Sequence, residues 1–100
     1  IIIDDNSLES LDFSELSLKY YLRFTALDRS GVLAGISKIF GDENISIESV
    51  IQKGKSEKDH VPIVIMTHEA REGDMQRAMN KFGELDTVRG KVQLIRVQKI

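Results

Sequence analysis

A change of period near residue 28 constrains this chain more than any other feature. Leu18, Tyr20, Leu22, Phe24 and Ala26 alternate with Lys19, Tyr21, Arg23 and Thr25, a period of two that buries one face of a strand. Asp28-Arg29-Ser30-Gly31 breaks the alternation. Val32, Leu33, Ile36, Ile39 and Phe40 then recur at the spacing of an amphipathic helix. Ser30 suits the N-cap of that helix, because its hydroxyl can accept from a free first-turn amide. Gly41 and Asn44 read as stop signals.

The remaining chain repeats the theme. A second strand is expected over 45–53, with Ile45, Ile47, Ser49 and Ile51 on one face. A polar connection over 54–60 leads to a third strand over 61–68. Residues 72–85 carry Met75, Ala78, Met79, Phe82 and Leu85 on one helical stripe. Gly90 marks a turn, and 92–97 forms a last strand. The order strand, helix, strand, strand, helix, strand predicts an α+β fold, a ferredoxin-like βαββαβ sandwich. Its four-stranded antiparallel sheet carries two helices on one face. Residues 1–17 lack sustained periodicity and read as a linker or tail, with Ile1-Ile2-Ile3 able to form a short strand; 18–100 are the domain.

With 100 residues, the chain has room for one domain. Its 14 basic and 16 acidic residues lack the clustered basic footprint of a nucleic-acid binder. No apolar run reaches the ~20 residues that span a bilayer. The absence of cysteine removes disulfides and thiolate metal sites and fits a reducing, cytoplasmic setting. The chain starts without Met, which fits a fragment of something longer.

Catalytic signatures are missing. Gly31 and Gly35 lack phosphate-loop spacing, and two histidines, His60 and His68, do not make a metal site. His68 reads as a strand-end residue with a structural hydrogen bond, and His60 as solvated. Glu69, Glu72 and Asp74 complement the dipole of the second helix. Arg23, Arg29, Lys53 and Lys55 read as a solvated surface. Neither a catalytic residue nor a metal or cofactor of its own is expected.

Two features exceed what a lone domain needs. The third strand is apolar on both sides: Val61, Ile63 and Ile65 point one way, Val64 and Met66 the other, with Tyr21 and Val50 as expected neighbours of the second set. An apolar face of this kind marks association, here with a second copy through the sheet or its edge, cover by a missing parent domain being the rival. The other feature is the Asp28–Leu33 segment, where a strand end meets a helix N-terminus. Free amides there favour a carboxylate, Asp28 can take an ammonium group, and Gly31 leaves room for close backbone approach. The pair of charges matches a free α-amino acid; an ordinary strand-to-helix turn would read the same way.

Asp28-Arg29-Ser30-Gly31-Val32-Leu33, followed by Asn44-Ile45-Ser46-Ile47, resembles the signature of the ACT domains, regulatory modules that bind amino acids. Three further runs, Tyr20–Phe24, Ser49–Lys53 and Val61–Ala70, resemble the C-terminal regulatory domain of the homoserine dehydrogenases. That resemblance implies a parent enzyme that uses NAD(P) to reduce aspartate semialdehyde to homoserine, on the route to threonine and methionine. It also implies allosteric regulation by an end-product amino acid, threonine foremost. The effector would lie between Asp28, Arg29, Ser30, Gly31, Val32 and Leu33 of one copy and Asn44, Ile45 and Ser46 of another. A structural pairing module with no effector is the alternative. Ser30 stands where the family usually has Pro, which presets the first helical turn.

Overall fold

The computed structural model describes residues 13–54 and 59–97. The possible strand at Ile1–Ile3 and the charge of Lys55 lie outside them. A single 3-10 turn, Phe13–Glu15, precedes β1 (Ser17–Leu27). The chain continues through α1 (Val32–Asp42), β2 (Ile47–Gln52), β3 (His60–Thr67), the two-residue β4 (Ala70–Arg71), α2 (Glu72–Gly83) and β5 (Val88–Val97). The main strands run in the order β2-β3-β1-β5, every pairing antiparallel. The expected ferredoxin-like sandwich is therefore present. β4 is an addition that pairs with the first residues of β1.

The alternation of β1 sets the core. Leu18, Tyr20, Leu22, Phe24 and Ala26 are all buried beneath the helices. Ile36 and Phe40 from α1, with Met75, Ala78 and Phe82 from α2, pack onto them. The Phe82 ring meets Phe24 edge-on, with centroids 4.9 Å apart, and lies 6.0 Å from Phe40. Phe82 therefore joins both helices to the sheet.

Two bulges reset the strand faces. Between Ile47 and Ser49 the β2 register shifts by one residue against β3. Ile47 stays on the helix-covered side opposite Thr67, while Ser49 pairs with Met66 and Ile51 with Val64 on the open side. This corrects the expectation that Ile45, Ile47, Ser49 and Ile51 share a face. It also moves Val50, which lies opposite Ile65 on the helix side and keeps its exposure because β2 is an edge strand. The other bulge lies in β5: Arg23 pairs with Gln93 and Thr25 with Arg89, so β1 advances by two residues while β5 advances by four. Gly90, at φ 70°, takes up the extra chain in the left-handed region that glycine tolerates. The strand therefore runs through Gly90 and starts at Val88, not at residue 92.

The open face follows from the register. Tyr21 lies between Met66 and Ile95, and Lys19 opposite Val97. Ile51, Met66, Ile95 and Val97 are large apolar side chains left exposed, Ile95 the most at 52%. Val64 also faces this way, opposite Arg23 and Ile51, but its neighbours on the sheet cover it.

Glu72, expected to serve the helix dipole, is instead fully buried. Tyr20 Oη donates to its Oε1 at 2.8 Å, and Gln76 Nε2 to its Oε2 at 3.0 Å. Arg96, on the helix-side face of β5 opposite Tyr20, donates Nε and Nη2 to the two oxygens at 2.7 and 2.9 Å. Burial by itself raises the Glu72 carboxyl, but the hydrogen bonds from Arg96, Gln76 and Tyr20 outweigh it and hold the group below its ordinary 4.5. Burial, with donation to that carboxylate, pushes the Tyr20 hydroxyl above its ordinary 10.0.

The segment before β1 closes over this cluster. The Glu72 amide donates to the Leu16 carbonyl at 2.8 Å, and the Phe13 ring lies 5.9 Å from the Arg96 guanidinium. A Cβ on Gly73 would sit 3.2 Å from Ser14.

Tyr20→Phe removes one donor from a buried carboxylate, so a loss of about 1–2 kcal/mol is expected in urea unfolding. The variant should also lose an alkaline limb. The raised folded-state value means that the tyrosine contribution is complete below its unfolded value, near 10.0, and fades as pH climbs toward the folded one.

Candidate functional site: the β1–α1 turn

β1 ends at Leu27, whose amide donates to the Thr87 carbonyl at 2.8 Å. The next amide, from Asp28, donates to the Asp59 carbonyl at 2.8 Å, which pins the backbone while the Asp28 side chain stays exposed. Gly31, not Ser30, occupies the N-cap of α1. It is left-handed at φ 87°, and no side chain caps the helix. The ladder begins with the Gly35 amide donating to the Gly31 carbonyl at 2.9 Å. The Ser30 hydroxyl is thus not used as expected; the Val32 amide donates to the Arg29 carbonyl at 3.3 Å, which leaves the Leu33 and Ala34 amides of the first turn for an anion.

Arg29, Ser30, Gly31, Val32 and Gly35 line one wall of a groove of about 370 Å³, and Leu85 and Thr87 line the other. Asp28 and Leu33 are not part of this lining, and both are exposed. Neither Leu85, expected on the stripe of the second helix, nor Thr87 was read as a site residue; both lie in the connection between α2 and β5, which the Leu27–Thr87 hydrogen bond draws to the β1 end. A Cβ on Gly31 would meet nothing within 4 Å, so backbone conformation alone demands glycine there. Gly31→Ala should therefore cost about 1–2 kcal/mol of stability, read as a lower urea midpoint with an unchanged slope.

Asn44, Ile45 and Ser46 form the turn after α1. Asn44 is left-handed at φ 59°. Ile45 is buried, and its amide donates to the Phe40 carbonyl at 2.8 Å. The exposed Ser46 accepts from the His68 amide through its carbonyl at 2.9 Å. This turn lies at the far end of α1 from the groove, about 16 Å along an 11-residue helix. Within one chain the structure does not bring the two halves of the expected effector site together.

His60 opens β3 opposite Leu27, half-buried rather than fully solvated. No group of three His, Cys, Asp or Glu residues that could hold a metal occurs among the described residues. Among them, no helix is long and apolar enough to cross a membrane.

The strand order has counterparts in known proteins. The family model of the ACT domain matches residues 20–87. This chain belongs to the ACT domain family. Homoserine dehydrogenase of Methylobacillus glycogenes is 39% identical over 94 residues, which cover 93% of this chain and 23% of that protein. Its counterpart in Neisseria gonorrhoeae is 36% identical over 90 residues. The crystal structure of a homoserine dehydrogenase from Thiobacillus denitrificans superposes with a TM-score of 0.77 at 39% identity, over 88% of this chain and 19% of that one. The chain thus spans about a fifth of the length of these relatives. The ACT domain of a GTP pyrophosphokinase from Chlorobium tepidum, 14% identical with a TM-score of 0.61, shares the fold.

Proposed function

We propose that this ACT domain is the amino-acid-sensing part of a homoserine dehydrogenase, with threonine as its effector. The observation that carries the reading is the uncapped start of α1 opening on the groove of Arg29–Val32 and Thr87, in a chain whose relatives are homoserine dehydrogenases. The effector carboxylate would take the first-turn amides, Asp28 the ammonium group, and Thr87 and Leu85 would contact the side chain. Reduction of aspartate semialdehyde and the NAD(P) cofactor would belong to a catalytic region outside this chain.

Asn44 and Ser46 reach the same effector only from a second copy, because one chain keeps them at the other end of α1. The exposed apolar sheet face supports such pairing. An effector bound between copies favours one arrangement of the pair only through its different affinity for the alternatives, and the catalytic parts would feel that bias. The apolar face equally supports a second reading, in which pairing alone is the function and no effector binds.

Calorimetric titration with L-threonine, run beside homoserine, lysine and methionine, separates the two. Saturable heat with threonine that Asp28→Ala abolishes is the expected result. Equal or absent heat with all four, in a chain that sediments as a pair, would favour the pairing module.

A further inference from the structure

The open sheet face is not uniform along the strands. The row of Tyr21, Met66 and Ile95 is apolar. In the next rows toward the β1 end, Arg23 pairs with Gln93, and Thr25 lies between Pro62 and Arg89. Here, at the β5 bulge, lies a pocket of about 360 Å³ whose polar lining is Arg23, Thr25, Lys91 and Gln93, beside Phe24, Pro62 and Val92. Without the two extra residues of β5, Lys91 would have no place at its rim.

The charges around this pocket are unbalanced. Lys19, Lys38, Arg77, Lys81 and Arg96 each have a carboxylate partner. Arg23, Arg29, Lys53, Arg71, Arg89 and Lys91 have none among the described residues, and of these Arg23 and Lys91 line this pocket. No acid among the described residues meets Arg23, Arg89 or Lys91. Arg23 and Lys91 line one pocket with like charge, which a bound anion would offset. Arg23 offers a planar fork for two parallel hydrogen bonds, Lys91 a compact point charge. Thr25 and Gln93 add neutral hydrogen-bonding groups.

We propose that the β5 bulge pocket binds a compact dianion, a phosphate or dicarboxylate group, with Arg23 and Lys91 as its counter-charges. The site uses none of the residues assigned to the amino-acid effector, and it stands whether or not threonine binds at the β1–α1 turn.

The test is an amide NMR titration of the 100-residue chain with sodium phosphate and with sodium succinate, against sodium chloride at matched ionic strength. Saturable shifts confined to residues 23–25 and 89–93, given by either dianion and not by chloride, are expected. Saturation by phosphate alone assigns a phosphoryl ligand, and by succinate alone a dicarboxylate. Each lost charge-assisted hydrogen bond should weaken binding about tenfold. R23Q/K91Q should thus bind about a hundredfold more weakly, with an unchanged amide spectrum elsewhere because both side chains are exposed. Shifts that chloride reproduces, shifts that persist in R23Q/K91Q, or no saturation with either dianion overturn the proposal.

Discussion

Glu72→Ala is expected to lower the stability of this fold by about 3 kcal/mol, the largest loss foreseen for any single change at the cluster. Removing one partner of a buried ion pair typically costs about 3–5 kcal/mol, because the other charge is left without compensation. The lower end applies here, since the Arg96 side chain is 41% exposed and can turn toward water. Glu72 also holds Tyr20 and Gln76, so the deletion orphans a buried hydroxyl as well. For a domain of this size the melting temperature should fall by more than about 10 °C. A thermal scan showing a shift of only a few degrees would refute the view that this carboxylate holds β1, β5 and α2 together.

The same group gives the acid response its direction. Its folded-state value lies below the ordinary 4.5, so its stabilisation is complete above that value and is lost as pH falls through the folded one. Glu72→Gln keeps an acceptor for Tyr20 but cannot titrate. Its unfolding free energy should therefore change less than that of the unaltered chain in acid urea titrations below about pH 4.5.

Nothing in the sequence near Glu72 announced this role. A carboxylate in the first turn of a helix is what the helix dipole favours in any case. Only the closing of β5 against β1 brings Arg96 beside Tyr20, and both over the start of α2. The alternation of β1 was legible because one face of that strand meets the core and the other does not. The faces of β2 were not, because a single bulge at Ile47–Ser49 exchanges them, and the side-chain period cannot show where the ladder slips. Gly90 misled for a related reason. Glycine marks turns and bulges alike, and here it lets β5 continue rather than end. At the candidate effector site, Arg29 to Val32 could be read from their local pattern. Leu85 and Thr87 could not, because a backbone hydrogen bond between residues 60 apart in sequence places them there.

If copies of this chain pair through the apolar sheet face, as proposed, Met66→Asp should separate them while leaving each fold intact. Met66 is 39% exposed and points away from the helices, so its replacement removes little from the core of one chain. In a two-fold pair every change is made twice. Losing two buried methionines forfeits about 1.5–3 kcal/mol each, and two unpaired carboxylates in their place cost more. Association should then weaken by at least about a hundredfold, read by sedimentation velocity as a shift from pair to monomer with an unchanged circular dichroism spectrum. Ile95→Asp, across Tyr21 on β5, should do the same. Val64→Asp separates folding from pairing, because Val64 faces the same way yet is only 2% exposed, and a carboxylate there should unfold the domain. If Met66→Asp and Ile95→Asp both still sediment as pairs, the copies meet elsewhere. The edge at β2, where Val50 is exposed, would then take the place of the face.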